Sequence, residues 1–198
     1  MRLMRRNAFT LVELLVVIGI IGLLIGIMTP VLGRARRVAA RTLCATNLRQ
    51  IGVCVRAYLN DSNDVFFYWG VTNLPSIAPD MPTFRGILRE YGAENPELFK
   101  CPADKPRNFQ EEREAPNTGK SYFQTEGSSY QFSDNPRILG HNVAEVARQM
   151  TEHGSMTVAE NQIPLVKDFQ GFHAKMGQEN AANYLYLDGH VTDLEDIH

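Results

Sequence analysis

The sequence predicts an α+β protein in which one long N-terminal helix, half transmembrane and half packed, lies on a small antiparallel β-sheet head. Three observations lead to this fold class. A long apolar run comes first, an amphipathic stretch continues it, and short strand-like segments with an Asp-Gly turn follow near the end.

The apolar run extends from Phe9 to Met28, and Thr10 and Glu13 are its only polar residues. A helix of this length rises about 30 Å, the thickness of the hydrocarbon layer of a bilayer. Three arginines precede the run and four follow it closely, so the positive-inside rule does not decide its orientation. We therefore expect a membrane-spanning helix.

Apolar or small residues recur at three- or four-residue steps beyond this run, which predicts that the helix continues with one packing face. The residues of this predicted face are Val31, Ala35, Val38, Thr42, Ala45, Leu48, Ile51, Val55 and Tyr58. The turn-forming residues 60–64 then end the helix. The predicted helix has about fifty residues and a length of roughly 75 Å.

Short elements are predicted in the head. Residues 82–92 indicate a short helix, and the charged residues 105–120 indicate an exposed loop. Strands are expected over residues 129–132, 156–159, 184–187 and 190–194. The last two flank Asp188-Gly189, which predicts a two-residue hairpin turn.

The charge is distributed unevenly along the chain. Residues 1–60 carry a net charge of +8, whereas residues 61–198 carry −10. An acidic head repels phosphate backbones, so we expect no nucleic acid to bind there.

The block Ala8-Phe9-Thr10-Leu11-Val12-Glu13, with the apolar run that follows, resembles the class III leader of type IV pilins and type II secretion pseudopilins. The resemblance implies that a prepilin peptidase cuts between Ala8 and Phe9 on the cytoplasmic side and that Phe9 is N-methylated. Ala8 departs from the glycine that is usual before the cut. Glu13 matches the glutamate of the family, and Pro30 matches its helix-kinking proline.

A carboxylate inside a membrane span is costly unless it is paired, and cleavage creates a new amino group on Phe9. Glu13 of one subunit can therefore pair with that amine on its neighbour in a fibre. The resemblance implies a leader over residues 1–8, a transmembrane polymerisation helix over 9–30, its amphipathic continuation over 31–60 and an extracytoplasmic head over 61–198. The implied partners are the prepilin peptidase, other pilin or pseudopilin subunits and the inner membrane of a bacterium.

Residues 44–52 and 98–104 resemble recurrent segments of pseudopilin-like proteins from planctomycetes and verrucomicrobia. Those proteins also carry a C-terminal histidine before an Asp-Gly turn, here His173 and Asp188-Gly189, with a longer spacing than in the family signature. Cys44 and Cys54 lie about 15 Å apart along one helix and cannot bridge each other. Cys101 can bridge either one in an oxidising compartment, and the resemblance favours a Cys44–Cys101 disulfide.

Several common catalytic and phosphate-binding motifs are missing from the sequence, which favours a structural subunit that is not an enzyme and requires no cofactor. The alternative is a membrane-tethered extracytoplasmic enzyme or metal-binding module that uses His173, Asp188 and His190. The acidic head is also compatible with calcium, which related major pseudopilins hold through carboxylate and carbonyl oxygens. A third alternative is a binding module that exposes the aromatic residues 66–69, although these residues are more typical of a core.

Overall fold

The computed structural model describes residues 11–67, 75, 80, 82–106, 119–133, 135–153, 159–169, 172–173 and 181–192. Their layout confirms the α+β class, with a long N-terminal helix and a four-stranded antiparallel sheet. The chain divides after Ala39 into two compact units. The cleavage residues Ala8 and Phe9, most of the predicted loop 105–120 and residues 156–158 of one predicted strand lie outside the described residues.

Helix α1 begins at Leu11 and ends at Asp61. It passes through Pro30, which has no N–H and so cannot donate the usual helix hydrogen bond to the carbonyl of Gly26. The hydroxyl of Thr29 donates to the carbonyl of Ile25 at 2.8 Å, one turn before the proline. The apolar part of α1 is long and apolar enough to cross a membrane, and its residues are exposed.

The second unit includes the last part of α1, from Ala40 onward. The buried residues of this part are Cys44, Leu48, Ile51, Cys54, Val55 and Leu59. The predicted packing face is therefore correct from Leu48 onward but wrong at its start, since Val31 and Val38 are 63% and 67% exposed. Periodicity predicts which face of a helix is apolar, but it does not reveal where along the helix a packing partner begins.

The end of α1 lies within the predicted turn-forming run. Asn63 and Asp64 follow the helix with φ angles of 52° and 58°. Asn and Asp adopt this left-handed conformation more readily than most residues do. The N–H of Asp64 donates to the carbonyl of Leu59 at 2.8 Å, so one of the last helical carbonyls is satisfied.

The sheet consists of strands β1 (Tyr130–Phe132), β2 (Pro164–Asp168), β3 (Tyr184–Tyr186) and β4 (Val191–Thr192), hydrogen-bonded in that order. The predictions of β1, β3 and β4 are confirmed within a few residues. Strand β2, which pairs with both β1 and β3, was not predicted. Its apolar core is short and is bounded by Pro164 and Lys167, so it lacks the clear alternation on which the prediction relied.

The remaining helices are short. Helix α2 (Phe84–Leu88) and the 3-10 turn Arg89–Tyr91 occupy the predicted helical segment, and a second 3-10 turn covers Pro96–Phe99. Helix α3 (Tyr122–Glu126) and helix α4 (Val143–His153) were not predicted.

The hairpin between β3 and β4 differs from the predicted two-residue turn. Tyr186 N–H donates to the carbonyl of His190 at 3.0 Å, and Gly189 N–H donates to the carbonyl of Tyr186 at 2.9 Å. The loop therefore has three residues, 187–189, and Gly189 has a φ of 93°. This is the pattern of a turn followed by a glycine bulge, for which Asp-Gly is equally suitable.

Aromatic side chains fill the core between α1 and the sheet. The ring of Phe67 stacks on Tyr58 with 4.2 Å between centroids. It makes T-shaped contacts with Phe132 and Phe84, with centroid distances of 4.9 and 5.9 Å. Phe66 and Phe67 are almost completely buried, which confirms that they belong to the core rather than to a binding surface. Residues 68 and 69 lie outside the described residues.

Candidate functional sites

The N-terminal part of α1 presents an uncovered apolar surface. Every residue from 11 to 32 is exposed, and a Cβ atom placed on Gly19, Gly22 or Gly26 meets no other atom within 4 Å in the described chain. Exposed apolar surface of this extent is unfavourable in water but suits lipid or the apolar helices of other subunits.

Glu13 lies in the first turn of α1. A negative charge is favoured at this end of a helix because the unpaired N–H groups carry partial positive charge. The structure places Glu13 among exposed residues near the start of the span and Pro30 at the opposite end of the apolar run.

A disulfide between Cys44 and Cys101 joins α1 to the segment that follows the second 3-10 turn. The resemblance had favoured this pairing. Cys44 is 0% exposed and Cys101 is 1% exposed. Cys54 is a free buried cysteine, and burial raises the pKa of its thiol.

Asp104 anchors the other end of the Cys101-Pro102-Ala103-Asp104 segment. Its Oδ1 and Oδ2 accept hydrogen bonds from the backbone N–H groups of Tyr122 and Phe123 at 3.1 and 2.8 Å. Asp104 therefore adds two acceptors to the N-terminus of α3, whose N-cap is Ser121. The hydroxyl of Ser129 donates to Asp104 Oδ2 at 2.7 Å and accepts from the N–H of Cys101 at 3.0 Å. These bonds hold the disulfide segment against α3 and the start of β1.

Asn47 connects α1 to the same segment. Its Nδ2 donates to the carbonyl of Lys100 at 3.1 Å and to the hydroxyl of Tyr130 at 3.4 Å. Burial, reinforced by the nearby carboxylate of Asp168, raises the pKa of Tyr130 well above its usual range, so this hydroxyl stays protonated.

Asp168 lies at the end of β2 and is 2% exposed. Its Oδ2 accepts from the backbone N–H and the side-chain amide of Asn183, at 2.7 and 3.1 Å, and lies 3.4 Å from Nε2 of His173. Burial raises the pKa of Asp168, although the hydrogen bonds from His173 and Asn183 oppose this effect. Asp168 and Asn183 were not predicted from the sequence. The available signal for Asp168 was a carboxylate that closely follows the short apolar pair Leu165-Val166.

Nε2 of His173 also lies 3.7 Å from Sγ of Cys101. A nucleophile–histidine–carboxylate triad needs one ring nitrogen for the nucleophile and the other for the carboxylate. Here the same nitrogen faces both groups. Within the described ranges, Cys44, Cys101 and His173 are the potential metal ligands that form a group of three, with ligand atoms all within 4.8 Å of one another.

The predicted metal group of His173, Asp188 and His190 is not assembled among the described residues, because His173 faces Cys101 and Asp168. Asp188 Oδ1 instead accepts from the backbone N–H of His190 at 3.0 Å and lies 2.6 Å from its Nδ1. The ring of His190 stacks on Tyr186 at 4.4 Å. The physical reason for the correction is that the three-residue loop satisfies Asp188 and His190 locally.

Partial burial works against ionisation of Asp188, but the hydrogen bonds and the charge of His190 outweigh it and lower the pKa of the carboxyl group. The contact between Asp188 and His190 therefore stabilises the hairpin.

A long apolar N-terminal helix and a small antiparallel sheet are consistent with a pilin-like fold, and the single apolar helix fits a single-pass membrane-anchored protein. Residues 3–29 match the family model described as the prokaryotic N-terminal methylation motif, which is consistent with the type IV pilin-like family. The match covers the predicted cleavage position, Glu13 and the apolar run, and it ends before the head. No curated protein and no solved structure matches the chain.

Proposed function

We propose that this chain is a pseudopilin or minor pilin-like structural subunit of a type II secretion or type IV pilus-like fibre. A prepilin peptidase cuts between Ala8 and Phe9 and methylates the new amino group, and α1 anchors the subunit in the inner membrane until assembly. The observation that carries this proposal is the methylation motif over residues 3–29, whose described part, from Leu11 onward, lies on a helix with exposed apolar residues.

The role of Glu13 follows from the energetics of a charge in lipid. A carboxylate inside a span is costly unless an opposite charge compensates it. The amino group created at Phe9 supplies an opposite charge at the same depth in a neighbouring subunit. Pairing favours stacked subunits over isolated ones, and it sets the axial step between neighbouring helices.

The disulfide supports a head outside the cytoplasm. Disulfides persist in oxidising compartments and are rare where thiols are kept reduced. The buried Cys44–Cys101 bridge therefore favours a head in the periplasm or beyond and an N-terminus in the cytoplasm, where a prepilin peptidase acts.

The head is proposed to be non-enzymatic and to need no cofactor for assembly. Support comes from the orientation of His173, whose Nε2 faces both Cys101 and Asp168, and from the local pairing of Asp188 with His190. Both arrangements stabilise the fold, so the head is left to decorate the fibre and to contact other subunits.

Processing is the direct test of this proposal. The chain is co-expressed with a prepilin peptidase, and the mass of its N-terminal peptide is measured. We expect a chain that begins at N-methyl-Phe9. Ala8→Arg and Ala8→Glu should block the cut because a small residue is required there, whereas Ala8→Gly is the matched control that keeps cleavage. A wild-type chain that still begins at Met1 would refute the proposal.

A further inference from the structure

The buried cluster around the Cys44–Cys101 disulfide brings two sulfur atoms, an imidazole and a carboxylate into one place. The assembly function proposed above uses the disulfide as a crosslink and requires no chemistry from His173 and Asp168. We propose that these residues form a redox-gated metal site, which is closed by the disulfide and binds one zinc-type ion after reduction.

The distances between the candidate ligands support this site. With ordinary zinc bond lengths and tetrahedral geometry, a sulfur and a nitrogen ligand lie roughly 3.6 Å apart, and an oxygen and a nitrogen ligand roughly 3.4 Å apart. Nε2 of His173 lies 3.7 Å from Cys101 Sγ and 3.4 Å from Asp168 Oδ2. The imidazole nitrogen is therefore already at ligand–ligand separation from both neighbours.

The disulfide explains why the site is gated. In the oxidised chain each sulfur is bonded to the other and carries no thiolate charge, so it is a poor zinc ligand. A dithiol or phosphine reductant supplies two electrons, the S–S bond breaks, and two thiols form by taking up two protons while the reductant is oxidised. The metal ion then replaces the two thiol protons, which pass to solvent.

Metal binding adds no net charge to this buried cluster. Cys44, Cys101 and the side chain of His173 are 0%, 1% and 3% exposed. A divalent ion with two thiolates and a neutral imidazole carries no net charge, which limits the cost of burial. We assign the fourth position to the carboxylate of Asp168, whose Oδ2 lies 3.4 Å from Nε2 of His173. Asp168 is already buried before the metal binds, so the ion and the two thiolates add no net charge to the cluster.

One feature lowers the expected affinity. Coordination through Nε2 moves the ring proton of His173 to Nδ1, which has no partner within the described part of the chain. Histidine ligands in tight zinc sites normally donate this proton to a carboxylate, a carbonyl or water. We therefore expect weaker binding than at a site with a complete outer shell.

Cobalt(II) is a suitable probe because thiolate ligation gives it a charge-transfer band and a tetrahedral visible spectrum. The full chain in detergent is reduced anaerobically with a phosphine, and a thiol count checks that Cys44 and Cys101 have joined Cys54 as free thiols. A chain that resists reduction is reduced in denaturant and refolded. We expect one cobalt ion per reduced chain, its displacement by zinc, and no thiolate band from the oxidised chain.

His173→Gln should weaken cobalt binding by at least about tenfold, because even the loss of a residue that only supports a metal ligand lowers metal affinity by about this factor. His141→Gln and Cys54→Ser are matched controls that should bind as the wild type does. If His173→Gln does not fold, as judged by near-ultraviolet circular dichroism, His173→Cys takes its place and should bind with a stronger thiolate band. A fully reduced wild type without this band, or a folded His173→Gln that binds equally well, would overturn the proposal without affecting the assembly function.

Discussion

Cys44 and Cys101 are joined by a disulfide across a sequence separation of 57 residues, and both are buried in the hydrophobic core. The bridge fixes α1 to the segment that leads through Asp104 into α3. It therefore couples the part of the helix that belongs to the head to an element distant in sequence.

Removal of this bridge should destabilise the head. A closed loop of this size is expected to contribute roughly 4 kcal/mol by the chain-entropy model, within a typical range of about 2–4 kcal/mol. The variant Cys44→Ala/Cys101→Ala should lose about that much free energy of unfolding, measured by denaturant titration of the chain in detergent. Cys54→Ala is the control for loss of a buried sulfur alone, and an equal loss in both variants would contradict the crosslink argument.

Asp104→Ala should weaken the start of α3, although Ser121 still caps this helix. The carboxylate accepts two backbone N–H groups and one hydroxyl, so its removal leaves donors without partners. We expect a loss of about 1–2 kcal/mol in the free energy of unfolding. Glu94→Ala, at an exposed acidic residue, is the matched control and should change the stability by less than about 0.5 kcal/mol. Identical unfolding curves for the two variants would show that these hydrogen bonds are not needed.

Asp188 should give the hairpin a small pH dependence. Its pKa is lowered in the folded state, so the unfolded chain binds more protons in the window between the two pKa values. The stabilisation is present above the unfolded value of about 4 and is lost as the pH falls through the folded value. Solvent screening keeps the effect modest because the side chain is more than one third exposed.

The measurement is the melting temperature of the wild type and Asp188→Asn as a function of pH. The difference should grow as the pH rises through about 4 and should be measured up to about pH 6, below the range in which imidazoles ordinarily lose their charge. His190→Gln should remove most of the same difference, and the double variant should add little to it because the two side chains act as a pair. A constant difference at all pH values would rule out the ionic contribution.

Glu13→Ala should leave processing largely intact and reduce fibre assembly. Cleavage depends on the residues around the cut, whereas the carboxylate pairs with the new amine of a neighbour. Sheared fibre yield and N-terminal mass are measured on the same cells. Glu13→Asp keeps the charge and should retain part of the yield, whereas Glu13→Gln should behave as the alanine variant does. Wild-type yield from Glu13→Ala would exclude the pairing.

Local signals in the sequence were enough to predict the helix, the methylation motif and three of the four strands. An apolar run of bilayer length, a three-to-four-residue period and an Asp-Gly turn each act over neighbouring residues. The same reasoning failed for β2, because a short apolar segment becomes a strand only when β1 and β3 pair with it from distant parts of the chain.

The candidate sites divide in the same way. The sequence by itself determined the N-terminal methylation motif, because Phe9, Glu13 and the apolar run are contiguous and a motif of this kind depends only on covalent order. Only the tertiary structure decided that His173 lies against Cys101 and Asp168 rather than beside Asp188 and His190. Contacts between residues far apart in sequence depend on how the side chains of helix, sheet and loops pack together in the core. A local sequence pattern does not predict that packing.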